Sequence, residues 1–117
     1  MKKGVNNLEQ LLESLDVKAR VVHGFSNKTR LQILECLSEG EKTVTEIVEI
    51  VQGNQSNISQ HLACLKGCGL IQKRTQGKYG YYSLRNETVR DLLRLFGDLT
   101  LEIGRESACC AHHIEGE

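Results

Sequence analysis

The segment from residue 43 to residue 69 constrains the fold most, because two short helical patterns flank the polar interruption QGNQSN. The first pattern begins with Thr43 and Glu46, which have the spacing of a capping box. The second pattern can begin at Asn54 or Ser56, and it keeps apolar residues at helical spacing until a pair of glycines ends it. Two short helices joined by a Gly-containing turn predict a helix-turn-helix unit.

The remaining segments predict one helix-rich domain around this unit. Residues 7 to about 23 form an amphipathic helical pattern, and Asn27 is a suitable N-cap for a second helix. The segment LIQKRTQGKYGYYSL changes to strand-like composition around a Gly-Lys turn and predicts a β-hairpin, or wing. A final helix follows Asn86. The predicted fold is mostly α with a small β-hairpin, a winged helix-turn-helix domain over residues 1–104, followed by a tail over 105–117 that contains Cys and His.

The apolar composition predicts both the core and a self-association surface. A chain of 117 residues with 39% hydrophobic content and no Trp or Pro buries one modest core of Leu, Ile and Val. The first and last helices carry more apolar surface than a monomer needs, which predicts a homodimer through these two helices. The alternative is that both faces complete the monomer core.

The cellular location is predicted from the lack of a signal region and of a membrane-spanning segment. Its start has no apolar signal region, and no run approaches the roughly 20 apolar residues that cross a bilayer. Five cysteines, an odd number without an export signal, indicate reduced thiols. We therefore expect a cytoplasmic protein with no membrane partner.

Charge is unevenly distributed although the net charge is zero. Residues 54–85 contain five basic residues and no Asp or Glu. Such segregation gives one face a positive potential that suits a polyanion, although a solvated segment poor in acids shows the same pattern by chance.

The second helix of the helix-turn-helix unit presents polar side chains away from Ile58, Leu62 and Leu65. Short amides and hydroxyls donate and accept hydrogen bonds, which suits base edges and phosphates, whereas a plain solvent face is the alternative. Basic residues near the hairpin tip are placed to neutralise phosphates. The predicted DNA-binding residues are Gln55, Ser56, Asn57, Ser59, Gln60, His61, Lys73, Arg74 and Lys78.

The order of these elements and three motifs resemble the ArsR/SmtB family of winged-helix metal-sensing repressors. The motifs are TRLQIL at 29–34, QSNISQHLACL at 55–65 and GLI before the wing, and the resemblance covers residues 8 to about 104. The chain reads NKTR in place of the family's DPTR, which loses the proline and keeps Arg30, a further predicted DNA-binding residue. The resemblance implies a dimer that binds double-stranded operator DNA when apo and leaves it when metal binds.

Cys64 and Cys68 lie about 100° from the core direction of their helix, on a stripe with Asn57 and His61. Residues four apart have Cβ atoms about 5 to 6 Å apart, which lets two thiolates bind one ion. A closed thiolate-rich site needs three or four ligands. The geometry alone leaves open whether this is a ligand pair or two half-buried apolar residues.

The segment HLACLKGCGL also resembles the recognition helix of cadmium- and lead-sensing members of the same family. That resemblance implies a Cd(II) or Pb(II) site formed by Cys64, Cys68 and a tail cysteine of the other protomer, either Cys109 or Cys110. His61 is an additional candidate ligand. As(III) and Zn(II) remain alternative effectors, because vicinal tail cysteines also suit arsenite.

Other sites of the family are incomplete in this sequence. The paired cysteines near the third helix are absent, and the last-helix zinc motif has only its second half, His112 and Glu115. Cys36 is predicted to be a core residue.

The function predicted is a repressor that releases operator DNA on binding metal and so derepresses metal-resistance or efflux genes. One alternative is a thiol redox or persulfide switch on the same scaffold. A small thiol enzyme is disfavoured, because there is no Cys-x-x-Cys and no Gly-rich phosphate loop.

Overall fold

The computed structural model describes residues 7–106, and within them it has five helices and one two-stranded antiparallel sheet. The elements are α1 (Asn7–Gly24), α2 (Lys28–Leu37), α3 (Val44–Val51), α4 (Gln55–Gly67), β1 (Ile71–Gln76), β2 (Tyr79–Leu84) and α5 (Glu87–Glu106). The chain through Arg85 forms one compact unit, and the chain from Asn86 forms a second. The predicted fold class is confirmed, whereas the predicted tail from residue 105 lies almost entirely outside the described residues.

The N-termini of the helices are fixed by the capping side chains that the sequence predicts. The Asn27 side chain accepts a hydrogen bond from the backbone N–H of Arg30. Thr43 and Glu46 form a reciprocal capping box at α3. Of the two candidates for α4, Asn54 is the cap. Each cap satisfies a helix donor that has no partner inside the helix, and typically contributes about 1 kcal/mol.

The core of the first unit lies where α2, α3 and α4 pack against one another and against the hairpin. Cys36 is only 7% exposed, which confirms its predicted core position, and this burial raises the pKa of its thiol. Leu31, on the same helix as Cys36, is only half-buried. The largest fully buried side chains are Ile33, Leu34, Leu37, Ile47, Ile58, Leu62 and Leu65. Burial of each contributes about 1.5 to 3 kcal/mol.

The hairpin closes through a two-residue turn of Gly77 and Lys78 between the paired Gln76 and Tyr79. Gly77 has φ of +61°, in the left-handed region where glycine is unstrained. The chain just before α3 also pairs with β2, because Lys42 and Tyr82 exchange two backbone hydrogen bonds of 2.9 and 2.8 Å. This bridge ties the helix-turn-helix unit to the wing and is not apparent in the sequence.

The C-terminus of α4 ends in a Schellman motif that leads directly into β1. The Leu70 N–H donates to the Leu65 carbonyl oxygen at 3.0 Å, and the Gly69 N–H donates to that of Lys66 at 3.1 Å. Gly69 has φ of +83°. Cys68 is the C-cap residue, with helical dihedral angles, so it occupies the junction between α4 and the wing.

Helices α1 and α5 each expose a set of large apolar side chains. In α1 these are Leu8, Leu11, Leu12, Leu15, Val17 and Val22, and in α5 they are Leu95, Phe96, Leu99, Leu101 and Ile103. In α5, Val89 and Leu93 are buried, and Asn86 caps the helix through the backbone N–H of Val89. No helix within residues 7–106 is long and apolar enough to span a membrane.

Candidate functional site

The outward side of α4 is a continuous polar surface. Asn54 accepts from the Asn57 N–H at 2.8 Å and thereby fixes the first turn of the helix. The predicted DNA-contacting residues of that turn and the next are exposed, namely Gln55, Ser56, Asn57, Ser59 and Gln60. Their amides and hydroxyls can both donate and accept, which is what reading of base edges and phosphates requires.

The wing carries its cations against tyrosine rings. The Lys73 ammonium lies 5.6 Å from the Tyr82 ring centroid, and the Lys78 ammonium lies 5.9 Å from that of Tyr79. Lys73 also crosses Gly80, where an added Cβ would lie 2.5 Å from the lysine Cε. These contacts hold the two ammonium groups on the hairpin while leaving both side chains exposed.

Arg74 differs from the two lysines because it has a partner carboxylate. Its Nε and Nη2 donate to the two carboxylate oxygens of Glu41 at 2.9 and 2.6 Å, and its Nη1 donates to Gln76. The hydrogen bond from Arg74 lowers the pKa of Glu41. The predicted positive wing is therefore partly neutralised by an acid from outside the acid-free segment 54–85.

Arg30 is buried and hydrogen-bonded within the protein, which disfavours its predicted contact with DNA. Its side chain is only 8% exposed. Nε donates to the carbonyl oxygen of Gly24 at 3.2 Å, and Nη2 donates to that of His23 at 2.9 Å and to the Ser26 hydroxyl. A buried guanidinium whose donors are directed at the end of α1 is not available to a phosphate.

His61 is half-buried on the flank of α4 that faces Arg30. Its Nδ1 lies 3.5 Å from Arg30 Nη1, which is a donor, so Nδ1 acts as the acceptor. This contact disfavours His61 as a ligand and makes it a link between α2 and α4.

Cys64 and Cys68 are half-buried free thiols, one inside α4 and the other at its C-cap. Burial raises the pKa of the Cys68 thiol, and the neighbouring Cys64 raises it further, while Arg30 and Arg20 act in the opposite direction. The two residues lie about one helical turn apart, on the stripe that helical periodicity predicts. A Cβ built on Gly24, at the end of α1, would lie 3.6 Å from the Cβ of Cys68.

Cys64 and Cys68 alone do not form a closed metal site. Between residues 7 and 106, no group of three or more His, Cys, Asp or Glu side chains is placed to hold one ion. Two thiols with no carboxylate suit thiophilic ions, and a closed site would need at least one further ligand. The predicted tail ligands Cys109 and Cys110, like His112, lie outside the described residues.

The family described as "Bacterial regulatory protein, arsR family" matches residues 27–73, which include α2, α3, α4 and the start of the wing. A protein of Streptomyces lividans described as a "probable mercury resistance operon repressor" is 35% identical over 102 residues, covering 87% of this chain and 81% of its own. The arsenical resistance operon repressor of Bacillus subtilis is 31% identical, with 92% and 90% coverage.

Two further similarities bear on the predicted resemblance. The regulator CmtR of Mycobacterium bovis is 28% identical over 93 residues, covering 80% of this chain and 79% of its own. The solution structure of a homodimeric winged helix-turn-helix DNA-binding domain from Mycobacterium bovis superposes with a TM-score of 0.75 and 34% identity, covering 85% and 90% of the two chains. The predicted winged helix-turn-helix family is confirmed.

Proposed function

Because this chain belongs to the ArsR family of bacterial regulatory proteins, we propose that it is a transcriptional repressor that leaves operator DNA when its cysteines bind a thiophilic ion. The observation that carries the proposal is the pair of half-buried free thiols, four residues apart, on one flank of the helix whose other side is polar and exposed. One helix thereby combines the features of a reading surface and of an effector site.

The DNA-binding part of the proposal rests on α4 and the wing. Gln55, Ser56, Ser59 and Gln60 contact bases or phosphates in a major groove, and Lys73 and Lys78 contact the adjacent phosphates. The protein acts as a homodimer, supported by the homodimeric structural relative and by the exposed apolar sides of α1 and α5. Two α4 helices then reach half-sites about one helical turn apart. A regulator of chromosomal DNA acts in the cytoplasm, which is therefore part of the proposal.

The effector part rests on the donor chemistry. Thiolates favour soft ions over Mg²⁺, Ca²⁺ or Mn²⁺, and Cd(II) or Pb(II) is the proposed effector, with Cys109 or Cys110 as the third ligand. The names of the relatives, which refer to mercury and arsenical resistance, support the general class of effector. The regulated genes would then be metal-resistance or efflux genes.

The mechanism follows from where the two thiols are attached. Cys64 is inside α4, and Cys68 is the C-cap residue immediately before the Schellman motif and β1. An ion bound to both thiols and to a tail cysteine restrains α4 relative to the wing. As a result, α4 and the wing can no longer fit the DNA together. A coupling free energy of about 1 to 3 kcal/mol lowers operator affinity by about 5- to 150-fold, and DNA must weaken ion binding by the same factor.

The proposal is tested by titrating reduced protein on its candidate operator with Cd(II), Pb(II), Zn(II) and arsenite. Thiolate charge-transfer absorbance reports binding, and fluorescence anisotropy of labelled DNA reports release. Cys64→Ser should abolish both signals, while the control Cys36→Ala keeps both. If Cys64→Ser retains both signals, the proposal is wrong. If Cys64→Ser loses both signals, the variants Cys109→Ser and Cys110→Ser identify the third ligand.

An arsenite-responsive repressor is the second candidate, and the arsenical-resistance relative favours it. A redox or persulfide switch on the same two thiols is the third candidate. The relatives named above are regulators, which supports a non-enzymatic role. The ion titration separates the first two candidates, and DNA release by polysulfide without metal identifies the third.

A further inference from the structure

A polar surface cavity lies between α2, the turn of the helix-turn-helix unit and the start of α4. Its volume is about 410 Å³, and its polar lining residues are Thr29, Gln32, Gln52, Asn54, Asn57 and His61. Within residues 7–106, no Asp, Glu, Lys or Arg lines it. Thr29, Gln32 and Gln52 precede the acid-free segment 54–85, and they are not among the residues that the sequence predicts to contact DNA.

Two of the lining side chains have partners within the protein, and the other four have none there. Asn54 caps α4 by accepting from the Asn57 N–H at 2.8 Å. His61 Nδ1 lies 3.5 Å from Nη1 of the buried Arg30. Among the described residues, no hydrogen bond involves the side chains of Thr29, Gln32, Gln52 and Asn57. One hydroxyl and three amides thus line the cavity with free donors.

The chemistry and the position of the cavity suit a phosphate of the DNA backbone. Phosphate oxygens accept hydrogen bonds, and neutral hydroxyl and amide side chains bind them in many protein–DNA interfaces. The cavity continues the exposed polar surface of α4, because Asn57 lines it and adjoins Ser56. No carboxylate in the described lining would repel a phosphate, and the guanidinium of Arg30, next to His61, adds positive potential.

We propose that this cavity receives a phosphate of the operator strand that flanks the major groove, and that Thr29 and Gln32 of α2 contact it. The inference rests on the proposed function, since it assumes that α4 lies in that groove. It adds α2 to the elements that bind DNA. Such a contact fixes the orientation of α4 on the duplex without reading its sequence.

The contact is tested by combining protein variants with operator duplexes that carry one uncharged methylphosphonate at a time. Thr29→Val removes the hydroxyl and keeps the side-chain shape, and Gln32→Ala removes the amide. Each variant should weaken binding to the unmodified operator about 3- to 10-fold in an anisotropy titration. When the methylphosphonate replaces the bound phosphate, each variant should lose less than about twofold, because the charged acceptor has already been removed.

Thr88→Val is the matched control, because Thr88 is exposed and is the second residue of α5, as Thr29 is of α2. It should bind every duplex as the unchanged protein does. Full affinity in both α2 variants, an equal loss in Thr88→Val, or a loss that no methylphosphonate position reduces would overturn the inference and leave the proposed function standing.

Titration of the free protein with inorganic phosphate at constant ionic strength separates a free anion from the DNA backbone. Saturable binding that Gln32→Ala abolishes, without any coupling to a methylphosphonate, would assign the cavity to a free anion and overturn the inference. If the unchanged protein does not bind the operator duplex, the inference fails together with the proposed function.

Discussion

The two sides of α4 differ in what surrounds them. The outward side, with Ser56, Ser59 and Gln60, is exposed. The flank with His61 and Cys68 lies against other elements, because His61 contacts Arg30 and Cys68 lies next to Gly24. The helix is thus fixed along one flank and exposed along the other. A ligand at the thiols would act on the flank that positions the reading surface, without touching that surface.

The largest effect is expected from removing a thiol on the fixed flank. Cys64→Ser should lower Cd(II) affinity on the order of 100-fold or more, because a neutral hydroxyl replaces a thiolate ligand. Operator affinity of the apo protein should change less than about twofold. Titrations with Cd(II) and with labelled DNA measure the two quantities. A loss of apo DNA binding would show that the two sides of α4 are not separable.

The next largest effect is expected from replacing Arg30, which contacts His61 on the fixed flank of α4. Arg30→Met should lower the free energy of unfolding by about 1 to 3 kcal/mol, because it leaves the buried carbonyl group of Gly24 without its donor. Urea denaturation measures this change. The control Lys28→Met, at an exposed position of the same helix, should cost less than about 0.5 kcal/mol. Equal costs for the two variants would contradict the structural role of Arg30.

A smaller effect is expected from the outward side. Gln60→Ala should weaken operator binding about 10-fold, the usual result of losing one specific base contact, while Cd(II) affinity stays within about twofold. Anisotropy titrations with operator and with unrelated DNA separate specific from non-specific binding. If both DNAs lose affinity equally, Gln60 contacts phosphate and not a base edge.

Glu41→Gln tests whether Arg74, whose charge is partly neutralised by Glu41, contacts a DNA phosphate. Releasing Arg74 should raise operator affinity by less than about threefold and steepen the dependence of log affinity on log salt by up to about one unit. Affinities measured from low to moderate salt show the slope. An unchanged slope would mean that Arg74 does not reach a phosphate.

The smallest effect is a dependence of stability on acid pH. The hydrogen bond from Arg74 lowers the pKa of Glu41. The stabilisation is therefore present above the ordinary pKa of a glutamic acid and is lost as the pH falls through the lowered pKa. Urea denaturation of the unchanged protein should show a slight loss of stability in this pH range, and Glu41→Gln should not show it. Equal pH profiles of the two proteins would exclude a net contribution of the Arg74–Glu41 ion pair to the free energy of unfolding.

Features encoded within a few neighbouring residues were predictable from the sequence. The caps at Asn27, Thr43 and Asn54 and the turn at Gly77 depend on local hydrogen bonds and backbone angles. The shared stripe of Cys64 and Cys68 follows from helical periodicity, and the structure adds that both thiols are half-buried.

Features that join distant segments were not predictable in this way. Arg30 was assigned to DNA because the family motif is kept at this arginine, whereas its partners include the carbonyl groups of His23 and Gly24 at the end of α1. Arg74 is paired with Glu41, which is 33 residues away in the chain. The charge pattern along the sequence therefore overestimated the positive charge of the wing. The packing of Gly24 against the flank of α4 that carries Cys68 is likewise set by tertiary structure.

The Schellman motif after Cys68 also provides an observable that needs no DNA. The amide hydrogens of Gly69 and Leu70 are held by the carbonyl groups of Lys66 and Leu65, and they exchange with deuterium only when this turn opens. An ion that ties Cys68 in place should slow their exchange, while amides in the middle of α2 keep their rates. Two resonances in a proton–nitrogen NMR spectrum thereby report whether an effector reaches the junction between helix and wing.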